Sequence, residues 1–268
     1  DPVRMLRAVR FSNKLRMQIA ERTEAPIFEL AHLLKNIPPA RLFDESLKLM
    51  LAGKAQVNYQ SLREYGLFRY FFPAVDQELT GNPDDKEERL LSIMFGNTDT
   101  RINSGKSVSP AYILAAMFWY PLEALATSLE LEGGLHPYDA FQVATNDILQ
   151  RAVQTIAIPK RFTTAVREIW TFQHRLTKTT GKRPSVLVEN PRFRAAYDFL
   201  LLRAEVEGGE LTQLAQWWTD YQQSAEGKKH AYTNPNHGKP EFKSKSSSSP
   251  YPNKKRRPRQ YDKPKGKN

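Results

Sequence analysis

The sequence predicts an all-α protein, an irregular multi-helix array followed by a disordered basic tail. Apolar residues recur at spacings of three and four through most of residues 1–225, and no convincing alternating run of strand type interrupts them. The composition then changes sharply after residue 225. Breaks marked by Pro, Gly and Asn set the elements. A first helix over 2–18 opens on Asp1 and Pro2, which read as an N-cap and a first-turn proline. Helix 22–36 ends at Asn36 ahead of Pro38 and Pro39, and helix 39–52 ends at Gly53. Helix 57–70 stops short of Pro73, and helix 84–95 lies between Pro83 and Gly96. The apolar stretch 109–130 runs as one helix from Pro110 to the glycines at 133 and 134, and helix 137–156 follows. Helix 159–178 begins at Pro159, 191–207 ends at Gly208, and 210–224 closes the series. Connections are short, as packing of helix on helix prefers, and no fixed repeat of solenoid type is present. A polar joint at 76–84 (DQELTGNPD) divides the helical part into residues 1–75 and 76–225, with 226–268 as the tail.

Composition excludes several chemistries. The chain has 268 residues, 40 Lys+Arg, 29 Asp+Glu and no cysteine, for a net charge of +11. Without cysteine there is no disulfide framework, no thiolate metal site and no thiol nucleophile, which fits a reducing, cytoplasmic compartment. No apolar run approaches the roughly 20 residues that cross a bilayer, and no signal peptide is seen. The first residue is Asp1 rather than Met, which reads as a fragment whose N-terminal part is missing.

The charge is segregated. Residues 226–268 hold 13 basic and 3 acidic side chains, whereas residues 1–225 hold 27 and 26. The tail is rich in Ser, Pro and Lys and poor in aliphatic residues, so it cannot offset its ordering entropy and is predicted disordered. Its cluster of Lys254, Lys255, Arg256, Arg257 and Arg259 suits phosphate neutralisation, with a solubilising tail or an anionic membrane surface as alternatives. Within the helical part, residues 1–22 carry a net +4 and residues 151–194 a net +8, so the remainder is acidic. In the second region Lys160, Arg161, Arg167, Arg175, Lys178, Lys182, Arg183, Arg192 and Arg194 form a predicted RNA-binding surface. A solvated charged face is the bland alternative.

At 100° per residue Arg4, Arg7, Arg10 and Lys14 share one face of the first helix, opposite Met5, Leu6 and Val9, with Phe11 on the basic side. Asp1 and Arg4, one turn apart, are also placed to pair with each other. The opening DPVRMLRAVRF resembles a neck-helix motif of the class II nucleotidyltransferases, the family of bacterial CCA-adding enzymes and poly(A) polymerases. The resemblance implies that Asp1 and Arg4 face the base of the incoming nucleotide, and that Arg7 and Arg10 approach the nucleotide or primer. A later family motif with Arg and Glu four apart is matched by Arg41 and Glu45 in PPARLFDESLKLM, a spacing equally compatible with a surface ion pair of little worth. Ala40 stands where CCA-adding enzymes usually have Glu, and the similarity continues through NTDTRI, AAMFWYPL, IPKRFTTAVREIW and FRAAYDFLLLRAEVE. These features resemble the poly(A) polymerase branch.

That resemblance implies neck helices at 1–75, an RNA-binding body at 76–225, and a template-independent transfer of AMP from ATP to RNA 3′ ends. It implies ATP as substrate, RNA as partner with RNA-decay or RNA-chaperone proteins as further candidates, and a monomer. Mg²⁺ is expected only with a catalytic head that precedes these residues in the family, so no catalytic residue or metal site is assigned, and the fragment alone is expected to be inactive. Asp84 and Asp85 are adjacent and do not converge on one metal easily, and His32, His136 and His174 lack ligand spacing. Trp119, Trp170, Trp217 and Trp218 are predicted to pack between helices. The competing reading is a headless helical RNA-binding or adaptor protein.

Overall fold

The computed structural model describes residues 1–224, so the predicted disordered tail and its cluster at Lys254, Lys255, Arg256, Arg257 and Arg259 lie outside the described residues. Among the described residues there are thirteen α-helices, two 3-10 segments and no strand, which is the all-α class the periodicity predicts. The chain runs through α1 (Val3–Leu15), α2 (Glu21–Leu30), a 3-10 segment at Ala31–Asn36, α3 (Pro39–Met50) and α4 (Ala55–Glu64). A second 3-10 segment at Phe68–Tyr70 precedes α5 (Pro73–Gln77), α6 (Lys86–Asn103), α7 (Pro110–Met117) and α8 (Trp119–Leu131). The series ends with α9 (Pro137–Ile156), α10 (Lys160–Leu176), α11 (Arg183–Val188), α12 (Phe193–Glu207) and α13 (Glu210–Gln223).

Several expected helices are divided or extended, each for a local reason. The stretch 109–130 is two helices that meet at Phe118, because Pro121 has no N–H for the Met117 carbonyl and its ring crowds that oxygen. The expected helix 22–36 tightens into 3-10 geometry at Ala31, one turn beyond Pro26. Helix 57–70 stops at Glu64, where Gly66 takes φ +64° and the Leu67 amide donates back to the Leu62 carbonyl at 2.8 Å. In contrast, α6 passes through Gly96 and continues to Asn103, two turns beyond the expected end. Its added turns place Asp99 against the start of α4, where the two carboxylate oxygens accept the Ala55 and Gln56 amides at 2.6 and 3.0 Å. The orphan donors of one helix are thereby satisfied from another.

The core centres on α7, whose Ala111 and Ile113 to Met117 are all buried. Helices α6, α8, α10 and α12 pack around it. Trp170 of α10 is fully buried and donates its indole N–H to the Ala115 carbonyl at 2.9 Å, locking α10 onto α7. A smaller cluster joins α10 to α13 through Phe172, Leu176, Phe193, Leu200 and Trp218, and the Trp218 indole donates to the Leu176 carbonyl at 2.9 Å. Trp119 is buried edge-on to Phe199, and Trp217 packs against Trp218 and Tyr221, so all four tryptophans serve packing as expected. The aromatic run Phe68, Phe72 and Phe118 carries packing from the helices before residue 76 to those after it.

Replacing Trp170 by Ala should lower the unfolding free energy by about 3–5 kcal/mol, from lost burial and an orphaned Ala115 carbonyl. Asp99→Ala should cost about 1–2 kcal/mol through the lost cap. Equilibrium urea unfolding followed by helical circular dichroism checks both.

Candidate nucleotide and RNA interface

The start of α1 is organised by Asp1. Its Oδ1 accepts the Val3 amide at 3.2 Å, so the carboxylate caps the helix as the sequence suggests. Its Oδ2 accepts a hydrogen bond from Arg41 Nη2 at 2.8 Å, across 40 residues, in an ion pair whose side chains are 38% and 44% exposed. Asp1 therefore pairs with Arg41 of α3 and not with Arg4. Met5, Leu6 and Val9 are buried, which turns Arg4 and Arg7 outward on the opposite face. Arg4 and Arg7 have no carboxylate within ion-pair distance among the described residues. Arg10 is half-buried, its guanidinium carbon 5.1 Å from the centre of the exposed Phe11 ring, and among the described residues its Nε has no hydrogen-bond partner. This face combines outward guanidinium groups with an open aromatic ring, a combination able to meet phosphate and base.

Glu45 lies apart from that arrangement. Four residues after Arg41 it does not pair with it; its side chain is 3% exposed, and its Oε1 accepts from Lys48 Nζ at 2.8 Å. Its second oxygen has no hydrogen-bond partner among the described residues. The i, i+4 spacing is compatible with a pair, but the buried face of α3 takes Glu45 inward while Arg41 reaches the start of α1.

The second basic region separates into three groups. Arg175, Lys178, Lys182 and Arg183, from the end of α10, the following connection and the start of α11, line a pocket of about 420 Å³ together with Val186 and Leu187. Arg175 is steadied by Phe172, 4.8 Å from its guanidinium carbon. None of the four has a carboxylate within ion-pair distance among the described residues. Four cations around one concavity are an arrangement able to bind an anion such as a phosphate group. Arg192 and Arg194 instead pair with Glu168 at 2.6 Å and Asp198 at 2.9 Å. Burial raises the Asp198 carboxyl above the usual range, and Arg194 opposes that rise.

Lys160, Arg161 and Arg167 make the third group, with Lys160 and Arg161 in the first turn of α10, ~22 Å along the helix from Arg175. Cations at a helix N-terminus oppose its dipole, so these two do not serve helix stability. The aliphatic part of that lining, Val186 and Leu187, was not legible in sequence, because α11 is too short to show a helical period. The Asp85 carboxylate is spent locally, accepting from Asn82 Nδ2 at 2.7 Å, and the Asp84 backbone amide donates to Asn82 Oδ1 at 3.2 Å. Among the described residues no group of three or more His, Asp or Glu could hold a metal ion.

Comparison with known proteins places this geometry in context. Residues 16–79 match a family described as "Probable RNA and SrmB- binding site of polymerase A", and residues 133–261 one described as "Polymerase A arginine-rich C-terminus". The poly(A) polymerase I of Salmonella typhimurium is 53% identical over 226 residues, covering 84% of this chain and 49% of the relative. That of Haemophilus influenzae is 48% identical over 222 residues, covering 83% and 49%. A CCA-adding enzyme of Blochmanniella floridana is 34% identical over 107 residues, covering 39% and 26%. The chain thus spans about half the length of the poly(A) polymerase relatives it matches.

Being solvent-exposed, the Asp1 and Arg41 pair should contribute little to folding. Asp1→Asn and Arg41→Ala, singly and together, should each change the unfolding free energy by less than about 1 kcal/mol, with a coupling no larger. A double-mutant cycle in urea measures this, and a coupling of several kcal/mol would contradict it.

Proposed function

This chain belongs to the poly(A) polymerase family, and from that premise we propose that it is the part of a template-independent polynucleotide adenylyltransferase that selects the nucleotide and holds RNA. The observation that carries this reading is the four-cation pocket of Arg175, Lys178, Lys182 and Arg183, within the arginine-rich match, together with the basic face of α1. In the proposed reaction the RNA 3′-hydroxyl attacks the α-phosphate of ATP and pyrophosphate leaves. Asp1 and Arg4 contribute base selection. Asp offers acceptors to the exocyclic amine of adenine, and Arg offers donors to ring nitrogens. The Arg41 contact holds the Asp1 carboxylate in place while its own guanidinium neutralises it until the base arrives. Arg7 and Arg10 approach the nucleotide or primer, and Phe11 offers a stacking face. Glu45, buried on α3, acts by positioning that helix. Residues 1–75 form the neck in this division of roles and residues 76–225 the body.

Lys160, Arg161, Arg167 and the pocket cations hold RNA phosphates, and Arg192 and Arg194 do so at the cost of their present ion pairs. The cluster at Lys254, Lys255, Arg256, Arg257 and Arg259 adds to the same attraction. The Mg²⁺ that such transfer needs finds no ligand set among the described residues, so no step is assigned to it here. The description of the family matched at 16–79 also names SrmB, and those residues are proposed as a surface for a protein partner of RNA metabolism. No described helix is long and apolar enough to cross a membrane. We further propose a monomer acting in the cytoplasm.

Replacing Arg4 by Ala in the intact protein should impair ATP use, read as a raised KM or lowered kcat, more than RNA affinity. Loss of RNA affinity with ATP use intact would overturn the base-selection role and favour the adaptor reading. For the body, replacing Arg175, Lys178, Lys182 and Arg183 by Gln should flatten the dependence of log affinity on log salt for single-stranded RNA by up to about 3. The same slope measured without residues 226–268 separates the pocket from the tail.

A further inference from the structure

The wet face of α10 is ordered along its length. At 100° per residue Lys160, Thr164, Arg167, Thr171 and Arg175 fall within about 80° of one another. Ala165, Ile169, Gln173 and Leu176 occupy the opposite side and are buried. Lys160, Thr164 and Arg175 are exposed, and Arg167 and Thr171 are half-buried. With a rise of ~1.5 Å per residue the five follow one another at intervals of ~6, ~4.5, ~6 and ~6 Å. Cation and hydroxyl therefore alternate along one line, ~22 Å from first to last.

Charge along this line is uncancelled. Among the described residues Lys160, Arg167 and Arg175 have no carboxylate within ion-pair distance, and the single acid of α10, Glu168, is drawn to Arg192 at 2.6 Å. The two ends of the line meet different surroundings. At the first, Phe162 packs against Phe43 of α3 with ring centres 5.8 Å apart, and the Arg161 guanidinium carbon lies 4.8 Å from the Phe162 ring centre. Phe43 stands two residues from Arg41, so the start of α10 rests on the same turn of α3 that holds Asp1. At the second end Arg175 is already part of the lining of the basic pocket.

We infer that this line sets the register and direction of a single RNA strand: successive phosphates meet Lys160, Thr164, Arg167, Thr171 and Arg175 in turn, with the 3′ side of the strand at Lys160 and its 5′ side entering the four-cation pocket. Neighbouring phosphates of an extended strand are about 6 Å apart, which matches the intervals of the line. Each cation then takes every second phosphate, and each threonine hydroxyl donates to one between. Thr171 now donates to the Arg167 carbonyl at 2.8 Å and turns outward to do so. The direction follows from the ends, since α3 and the Asp1 and Arg41 pair lie on the Lys160 side, where the incoming nucleotide and the 3′-hydroxyl must meet. The inference rests on the nucleotide and RNA roles proposed above and adds to them an order of contacts.

The test titrates the intact protein into labelled oligo(A) strands that end in a 3′-deoxynucleotide and carry one neutral methylphosphonate linkage, moved a position at a time. Neutralising a phosphate that meets a cation should weaken binding by about threefold, so on the unaltered protein the penalty recurs at every second linkage. In Arg167→Gln the penalty should vanish at one linkage, in Lys160→Gln at the linkage two nearer the 3′ end, and in Arg175→Gln at the linkage two nearer the 5′ end. Thr164→Val should weaken binding by about threefold, and Thr164→Ser should leave it unchanged. The reverse order of the three linkages would overturn the direction. Strong RNA binding in which all three variants respond at one linkage, or at none, would overturn the register while leaving the RNA role of the body intact. Unchanged RNA affinity in all three variants would remove the strand from α10 and overturn that role as well.

Discussion

Burial of α7 is the constraint on which the remaining architecture depends. Its eight residues are apolar on nearly every side, and such a helix is stable only when other helices cover it all round. Helices α6, α8, α10 and α12 supply that cover, and the indole of Trp170 spans the α7 and α10 interface with a hydrogen bond to Ala115. Fixing α10 in this way fixes the line along which its cations emerge. Lys160 and Arg161 lie at one end and Arg175 at the other, where the chain turns into α11 and completes the basic pocket.

Charge is organised at a level above the helices. Residues 1–225 are nearly neutral in sum, yet Arg175, Lys178, Lys182 and Arg183 gather around one concavity. Among the described residues none of these four has a carboxylate within ion-pair distance. Segregation of this kind costs electrostatic energy within the free protein, since like charges stand closer than a mixed surface would place them. That cost is recovered when an oppositely charged partner binds. Arg192 and Arg194 show the contrast: each has a carboxylate at 2.6 or 2.9 Å and stands largely neutralised.

Helical periodicity was legible wherever one face is buried and the other wet. Residues 137–156 are helical as expected, and the wheel of α1 correctly turns Met5, Leu6 and Val9 inward. It was less informative for α7 and α8, where apolar residues fall on all sides and only Pro121 hints at the break. The far end of α6 was obscured by Gly96 and by the polar run that follows. Those polar residues face α4, where Asp99 caps its first turn and Asn103 reaches the Gly53 carbonyl at 3.2 Å.

The sequence by itself determined the all-α class, the packing role of the tryptophans, the basic face of α1 and the resemblance to poly(A) polymerases. These follow from local periodicity, residue type and motif order, which need no knowledge of what lies opposite. Only the tertiary structure decided that Asp1 takes Arg41 as its partner, that Glu45 turns inward, and that four of nine candidate cations share one pocket. The physical reason is that pairing depends on which helices the burial of α7 brings side by side. Spacing along one helix lists candidate partners, and the packing of the others chooses among them.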